Sequence, residues 1–269
     1  FASAGSVHTC FLSSNGNIYS CGKKEFTGHG STSDIFIPTL LDSFGEEKIE
    51  QVSVGPGGYH TIALAKSTRS VYSWGHNRVG QLGFCCNEIS PEDIVGGCCV
   101  PKPRLVNSAS SLMVSQVIAG WGHSALVTVD GKLFTCGRNF QGQLGRGDPD
   151  FSHVNVRGHP YQPEFCRVTG DLSGHRIRHI SCGGEHSVVL TEDGKLFSFG
   201  KGHKGQLGIS SCKSQSYPTR VYVPEHRNRP IIQVVSGNDF SIILRKHYSI
   251  PSLFDLCREK VLLSEKAST

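Results

Sequence analysis

One stretch of this chain recurs along its length, and this repetition constrains the fold more than any other feature of the sequence. Its clearest copy runs from Ser181 to Gly208 and reads Ser-Cys-Gly-Gly-Glu-His-Ser-Val-Val-Leu-Thr-Glu-Asp-Gly-Lys-Leu-Phe-Ser-Phe-Gly, followed after four residues by Gly-Gln-Leu-Gly. Two short runs, 187–191 and 196–199, flank an Asp-Gly dipeptide that tolerates the positive φ angles of a tight turn. Because the runs are short and rich in β-branched and aromatic residues, the stretch predicts an antiparallel hairpin rather than a helix.

Other segments repeat this stretch to different degrees. Residues 119–145 repeat it almost in full, residues 54–83 have a degraded turn, and residues 4–30 are a weaker copy. Residues 235–244 open a fifth unit. The anchor positions, which are 52, 63, 63 and 54 residues apart, are His8, His60, His123, His186 and Phe240. A period of this size made of short strands predicts a propeller or a solenoid.

The shared pattern is Gly-x-x-His-Ser-x-x-Leu-Thr-x-Asp-Gly-Lys-Leu-Phe-x-x-Gly followed by Gly-Gln-Leu-Gly, and it resembles the repeat of the regulator of chromosome condensation family. Four near-complete copies and one partial copy cover Phe1 to about Lys246. The resemblance implies an all-β fold, a β-propeller with four-stranded blades, usually seven of them. Residues 1–246 are therefore predicted to form propeller repeats that are part of a seven-bladed ring, and residues 247–269 a C-terminal tail. Since seven blades need roughly 50 residues each, we expect either that N-terminal blades are absent from this chain or that the propeller is unusually small.

Composition and charge argue against several classes of function. The net charge is +5, and the nearest approach to a basic run, 175–179, alternates like a solvated strand face, so nucleic-acid binding is not expected. No apolar run approaches the roughly 18 residues of a membrane helix, so we expect no membrane partner. The cysteines number eleven and there is no Asn-x-Ser/Thr sequon. These features favour reduced thiols and a cytoplasmic or nuclear location.

Two insertions interrupt the repeats, 84–103 and 148–162. Loops of this length on a propeller face are where binding usually resides, so we predict that they form a partner surface with the end of the propeller axis that they share. The predicted partner-binding residues are Cys85, Cys86, Cys98, Cys99, His153, Arg157, His159 and Tyr161.

The two cysteine pairs of the first insertion are separated by a twelve-residue offset. They could supply four thiolates to zinc. Adjacent cysteines are poorer chelators than Cys-x-x-Cys, however, because neighbouring side chains on an extended chain point apart. We therefore predict a protruding thiol-rich loop without metal or other cofactor, and zinc is the alternative.

The repeated histidines do not predict a catalytic site. A residue that occupies the same place in every blade serves the blade, most simply by hydrogen-bonding a neighbouring turn. Phe240 in the fifth unit indicates that the ring nitrogen is dispensable there. The sequence also lacks a phosphate-binding Gly-x-x-x-x-Gly-Lys-Ser/Thr loop, His-Glu-x-x-His and a dinucleotide fingerprint. We therefore predict no catalytic residues and no enzymatic activity.

The repeat pattern stops after Lys246, and the tail is predicted to contain a short α-helix. Ser252 and Asp255 form a plausible helix start, and an apolar stripe follows. The segment Ser-Leu-x-x-x-Cys-x-x-x-Val also resembles the elongin-binding box of ubiquitin-ligase substrate receptors, which inserts a leucine and a small cysteine into a pocket of elongin C. The resemblance implies that the elongin-binding residues are Ser252, Leu253, Leu256, Cys257 and Val261. The alternative is a terminal helix that packs back on the propeller.

These observations lead to three functional hypotheses. In the first, the chain is a substrate-recognition subunit of a ubiquitin ligase: the propeller binds a protein or peptide, and the tail recruits elongin B, elongin C and, through them, a cullin. In the second, which the family resemblance implies, it is a guanine-nucleotide exchange factor or chromatin-associated regulator of a Ran-like small GTPase. In the third, it is a non-catalytic scaffold. We favour the first.

Overall fold

The computed structural model describes residues 1–147, 153–155, 158–223 and 230–246, with only the backbone of Cys86 described. In these ranges the regular structure consists of β-strands and a few short 3₁₀ turns, arranged as four antiparallel four-stranded sheets and one two-stranded sheet. This arrangement confirms the predicted β-propeller blades. The predicted helix of residues 247–269 lies outside the described residues. Within the described ranges, no helix has the length and apolar character required to cross a membrane.

Each sheet is one blade, and its strands follow one another in chain order. Blade 1 consists of β1 (Ala2–Ala4), β2 (His8–Leu12), β3 (Ile18–Gly22) and β4 (Ile35–Leu40). Blade 2 consists of β5 (Ile49–Val54), β6 (His60–Ala65), β7 (Val71–His76) and β8 (Cys99–Leu105). Blade 3 consists of β9 (Val114–Ala119), β10 (His123–Thr128), β11 (Leu133–Arg138) and β12 (Tyr161–Arg167). Blade 4 consists of β13 (Ile177–Cys182), β14 (His186–Thr191), β15 (Leu196–Gly200) and β16 (Gln215–Val221). The partial fifth blade consists of β17 (Ile231–Ser236) and β18 (Ser241–Arg245).

The hairpin predicted from the clearest repeat is confirmed in blade 4. Strands β14 and β15 are paired from His186 opposite Gly200 to Leu190 opposite Leu196. The turn between them places Gly194 at a φ of 79°, a left-handed conformation that favours glycine. The backbone N–H of Lys195 donates to the Thr191 hydroxyl over 2.9 Å. The Asp-Gly pair therefore fixes the register of the strands on either side of it.

At three of the four boundaries between the described blades, the first strands are joined by the same hydrogen bond. A serine hydroxyl on the first strand of one blade accepts a backbone N–H from the first strand of the next. The pairs are Val54 N–H to Ser3 at 2.9 Å, Ala119 N–H to Ser53 at 3.0 Å, and Ser236 N–H to Ser181 at 2.8 Å. Since the first strands contact each other from blade to blade, they lie nearest the centre around which the blades are arranged.

Four buried histidines form a second link between blades, and each is the first residue of its blade's second strand. Each Nε2 lies 2.8–3.0 Å from a hydroxyl of the next blade. The pairs are His8 with Thr61, His60 with Ser124, His123 with Ser187, and His186 with Ser241. The sequence predicts a neighbouring turn as the partner, whereas the structure places a strand hydroxyl there.

Three of these hydroxyls continue the link to the turn that the sequence predicted. Ser124, Ser187 and Ser241 donate to the backbone oxygens of Gln81, Gln143 and Gln206 in the Gly-Gln-Leu-Gly turns of the preceding blades. Because the hydroxyl proton is committed to the carbonyl, the histidine must donate through Nε2. These histidines are therefore neutral, with an unprotonated Nδ1 that is buried without a hydrogen-bond partner among the described residues.

Candidate functional site

In each of the four complete repeats, a basic residue follows the glycine at the end of the third strand, either as the last residue of the strand or directly after it: Lys23, His76, Arg138 and Lys201. The backbone N–H of each donates to the residue that precedes the blade's buried histidine, over 2.8–2.9 Å. All four side chains therefore lie at the same end of the blades, next to the Gly-x-x-His loops. We call this end of the propeller the loop end and these four residues the basic set.

The glycines next to these residues allow the close backbone contacts of the loop end. Gly137 has a φ of 105°, and a Cβ atom at this position would lie 2.6 Å from the carbonyl oxygen of Gly122. Between blades, a Cβ atom on Gly55 would lie 2.0 Å from the carbonyl oxygen of Gly120. Side chains larger than glycine would therefore separate the loops that hold the basic set in place.

A pocket of about 410 Å³ opens at the loop end, chiefly between blades 2 and 3. Its walls combine aromatic rings with basic and amide side chains: Phe26, Tyr59, His76, Arg78, Val79, Gln81, Trp121, Gly122, Arg138, Asn155 and His159. No carboxylate is present among these described lining residues. Pockets of this kind, apolar with a few converging polar groups, are typical binding sites.

Arg138 is one of the two arginines of this wall. Its guanidinium is 5.0 Å from the centre of the Trp121 ring, a cation–π contact. One of its terminal nitrogens is 3.3 Å from Glu185, which also pairs with Lys201 at 2.9 Å. A single carboxylate therefore serves two cations, and the wall keeps an excess of positive charge. The Arg138 Nε atom is buried without a hydrogen-bond partner in the described structure.

The second insertion contributes directly to this pocket. Its described part folds into a small arm in which Val154 pairs with Pro160. His159 lines the pocket and stacks on the exposed ring of Phe140, with centroids 4.3 Å apart. His153 and Tyr161 contact each other across the base of the arm, with ring centroids 5.8 Å apart. Of the residues predicted in this loop, His159 therefore has a place in the pocket wall, and Tyr161 is the first residue of β12.

The end of the first insertion differs from the predicted protruding loop. Cys98 and Cys99 are each only 8% exposed, and they pack with Phe26 of blade 1. Cys99 begins β8 and lies opposite His76, while the backbone N–H of Asn77 donates to the Cys98 oxygen over 2.8 Å. The two thiols therefore sit behind the pocket wall, because the chain must return there to add the outer strand of blade 2.

Several predicted site residues cannot be placed. The side chain of Cys86 and the whole of Arg157 lie outside the described residues. So do the predicted elongin-binding residues, Ser252, Leu253, Leu256, Cys257 and Val261. In the part of the chain that is described, no group of three or more His, Cys, Asp or Glu side chains is arranged to hold a metal ion. The choice between a metal-free loop and zinc at the four cysteines stays a prediction.

Sequence reasoning missed the basic set, although its signal is present in the repeat. A basic residue after the glycine at the end of the hairpin pairing occurs in all four complete copies. Chemically, the set and its aromatic neighbours can bind carboxylates and π systems, since arginine pairs with carboxylates and stacks on rings.

Comparisons with known proteins agree with this architecture. One profile of the family described as "Regulator of chromosome condensation (RCC1) repeat" matches residues 70–127, 130–190 and 193–244. A second profile with the same description matches residues 2–26, 49–81, 114–143 and 177–206. Together these matches cover most of the described blades.

The individual relatives are named as different kinds of protein. The chain is 32% identical over 247 residues to human E3 ubiquitin-protein ligase HERC2, covering 90% of this chain and 5% of HERC2. It is 33% identical over 221 residues to the Arabidopsis thaliana ultraviolet-B receptor UVR8, covering 81% of this chain and 45% of the receptor. The chain thus spans less than half the length of these relatives.

A solved structure of yeast RCC1 (Prp20) bound to Kap60 resembles the fold closely. The TM-score is 0.75 at 22% sequence identity, and the match covers 96% of this chain and 56% of that chain. At this identity the likeness concerns the fold alone.

Proposed function

Since the chain belongs to the regulator of chromosome condensation repeat family, we propose that it is a protein-interaction module that binds an acidic segment of a partner protein in the loop-end pocket. The observation that carries this proposal is the placement of Arg138 against Trp121 in a wall without carboxylates among its described lining residues. Relatives as different as a ubiquitin ligase and a light receptor contain similar repeats. The repeats therefore supply a common scaffold, and specificity lies in the side chains at its surface.

The pocket has the composition of an interaction hot spot. Trp121 and Phe140 are 37% and 45% exposed, which is unusual for such large rings at the surface of a folded blade. Aromatic residues and arginine dominate binding energies at protein interfaces, especially in pockets that exclude water. Arg78 and Arg138 add positive charge, so a segment with aspartate or glutamate beside an apolar residue would fit both properties of the wall.

Peptide display on the folded propeller tests this proposal. We expect selected peptides to be enriched in Asp and Glu, and their affinity to fall at least tenfold in Trp121→Ala and in Arg138→Ala, because each change removes one partner of the cation–π pair. Fluorescence polarisation with one selected peptide measures the change.

Arg220→Ala is the matched control for this measurement. Its guanidinium also lies over an aromatic ring, that of Phe197 at 5.4 Å, but on blade 4 and away from the pocket lining. Binding should persist in this variant. Selected peptides without acidic residues, or equal affinity of wild type and both pocket variants, would place the interaction surface elsewhere.

The ligase-adaptor hypothesis adds a second contact, between the tail and elongin C, and it depends on the sequence resemblance. We expect the chain to capture purified elongin B–elongin C complex, and Leu253→Ala combined with Cys257→Phe to abolish capture. The first change removes an apolar side chain whose burial contributes about 1.5–3 kcal/mol; the second introduces a bulky ring where a small side chain is required. The melting temperature should stay nearly unchanged.

The opposite pattern would refute the adaptor hypothesis. If the tail packs on the propeller, the double variant should melt several degrees lower, and wild type should fail to capture elongins. The exchange-factor alternative depends on family membership alone. Faster release of guanine nucleotide from a Ran-like GTPase would favour it over both the adaptor and the scaffold.

A further inference from the structure

Blade 3 departs from the repeat at two adjacent positions, and both of them line the loop-end pocket. The position before the buried histidine holds a side chain in the other complete blades but glycine, Gly122, in blade 3. One position earlier the pattern is reversed, and blade 3 has Trp121 where the other blades have small residues. The equivalents are Val7, Tyr59 and Glu185 for Gly122, and Ser6, Gly58 and Gly184 for Trp121. The repeat alone therefore accounts neither for the large ring in the pocket wall nor for the space beside it.

The backbone does not require glycine at position 122. Its φ angle is not positive, and an added Cβ atom would make only ordinary contacts, at 3.7 Å from Arg138 Cβ and 3.8 Å from Val79 Cγ2. At Gly137 of the same blade, by contrast, a Cβ atom would collide with backbone at 2.6 Å. Since the chain has room for a side chain at position 122, the effect of the glycine is to leave a recess open between Arg138 and Val79.

The pocket is large enough for an aromatic ring as well as an anionic group. Its volume is about 410 Å³, whereas an apolar cavity of about 150 Å³ is enough to bind benzene. Three aromatic side chains line it: Trp121 is 37% exposed, and Phe26 and Tyr59 meet edge to face with ring centroids 5.6 Å apart. Because aromatic rings pair favourably with one another, these walls favour a ligand that carries a ring of its own.

Two arginines supply the hydrogen-bond donors that a phosphate group needs. Arg78 is an exposed residue of the pocket lining. Arg138 pairs with Glu185 through one terminal nitrogen at 3.3 Å, and its Nε atom has no hydrogen-bond partner among the described residues, so the guanidinium has donors beyond those that Glu185 engages. A phosphate carries about two negative charges near neutral pH and three acceptor oxygens, and arginine binds it through paired hydrogen bonds. Two arginines in one wall therefore suit a phosphate better than a single carboxylate.

We propose that the loop-end pocket binds a phosphotyrosine of the partner protein. The phenyl ring lies beside Trp121 in the recess that Gly122 leaves open, and the phosphate is bound by Arg78 and Arg138. This inference rests on the proposed function, because it narrows the acidic segment to one that carries an aryl phosphate. Recognition requires both parts of the ligand, since tyrosine lacks the charge and phosphoserine lacks the ring. Binding should therefore depend on phosphorylation of the partner, as in other arginine-based phosphopeptide sites.

Fluorescence polarisation with four labelled peptide pools tests the class of ligand. The pools share degenerate flanks and differ only at the central residue, which is phosphotyrosine, tyrosine, phosphoserine or glutamate. We expect the phosphotyrosine pool to bind at least about tenfold more tightly than each of the others, because only this residue offers both a ring and a dianion. In Arg78→Ala its advantage over the glutamate pool should fall below about threefold, since the dianion then loses its second arginine. The blade 4 variant Arg220→Ala should retain the full preference.

The outcomes of this measurement separate the inference from the proposed function. If the glutamate pool binds as tightly as the phosphotyrosine pool and both depend on Arg138, the inference is wrong and the proposed function stands. Equal affinity of the phosphoserine and phosphotyrosine pools would also overturn the inference, because the ring would then contribute nothing. If no pool binds, both proposals fail.

Gly122→Leu tests the recess itself. The leucine side chain should fill the space assigned to the phenyl ring and weaken binding of the phosphotyrosine pool at least about tenfold. The melting temperature should stay within a few degrees, because the backbone has room for a Cβ atom at this position. Gly122→Ala is the matched control, and its single methyl group should weaken binding less than about threefold. Unchanged binding by the leucine variant would place the ligand elsewhere, and a melting temperature that falls by many degrees would show that position 122 is packed rather than open. Either result would overturn the inference.

Discussion

Lowering the pH from 7.5 to 5.5 is expected to destabilise the propeller steeply, because the four histidines that link the blades are neutral in the folded state. Burial lowers the pKa of His60 and His123 to about 3 and that of His8 and His186 to about 4. In the unfolded chain these rings titrate near 6.5. Between pH 6.5 and 4 the unfolded chain therefore binds more protons, and the free energy of unfolding falls as the pH falls.

The size of this effect follows from the same values. Each histidine whose pKa is lowered in the folded state reduces the free energy of unfolding by up to about 1.4 kcal/mol for every pH unit below its unfolded pKa. Four of them amount to a loss of about 5 kcal/mol by pH 5.5, a large share of the total stability of a typical domain. Urea unfolding at pH 7.5, 6.5 and 5.5 measures it. The stabilisation should be fully present above pH 6.5.

Glutamine variants supply the control for this prediction. His60→Gln with His123→Gln retains an amide donor for Ser124 and Ser187 but removes two titrating rings, so about half of the loss that the four linking histidines cause should disappear. Acidic residues do not obscure the result. Asp193, whose pKa the Thr191 hydroxyl and Lys195 lower to about 2, loses its contribution only as the pH falls below about 5. A stability that is flat from pH 7.5 to 5.5 would show that the histidines accept protons without unfolding.

The repeated elements of the fold are the ones that the sequence predicts well. Asp193-Gly194 fixes one hairpin, and aligning the other copies on their histidines brings Trp74, Cys136 and Phe199 to one position, directly before a glycine. Pairing Thr61 with Trp74, Ser124 with Cys136 and Ser187 with Phe199 confirms that this position is equivalent in three blades. Repetition makes these predictions reliable because the same residue pattern must form the same local structure in each copy.

The candidate site was harder to predict, since it depends on contacts between blades and on loops outside the repeat. Arg138 follows the glycine of its repeat, but only the three-dimensional arrangement places it over Trp121 and beside Glu185 of the next blade. The same holds for Cys98 and Cys99. Their sequence predicts a protruding loop, yet Phe26, more than 70 residues earlier in the chain, covers them. Contacts of this kind leave no periodic signal in the sequence.

Trp74→Ala is expected to reduce the free energy of unfolding by about 3–5 kcal/mol, the usual cost of removing a large buried aromatic side chain. Trp74 is fully buried where blade 1 meets blade 2, and its indole Nε1–H donates to the backbone oxygen of Phe26 over 3.0 Å. Alanine would leave both a cavity and an unpaired carbonyl. Trp74→Phe retains most of the volume and should lose only about 1–2 kcal/mol, chiefly from the missing hydrogen bond.

The chain has two tryptophans, and the second is the matched control. Trp121 is 37% exposed at the loop-end pocket, so Trp121→Ala should cost less than about 1 kcal/mol of stability while it weakens peptide binding. Trp74→Ala should have the opposite effects. Its urea midpoint should be lower, and at urea concentrations below that midpoint the folded protein should bind the peptide with unchanged affinity. If the two variants lost equal stability, Trp121 would be part of the core rather than of a binding surface. A loss below about 1 kcal/mol for Trp74→Ala would instead mean that the register of β7 is shifted by one residue and the indole faces solvent.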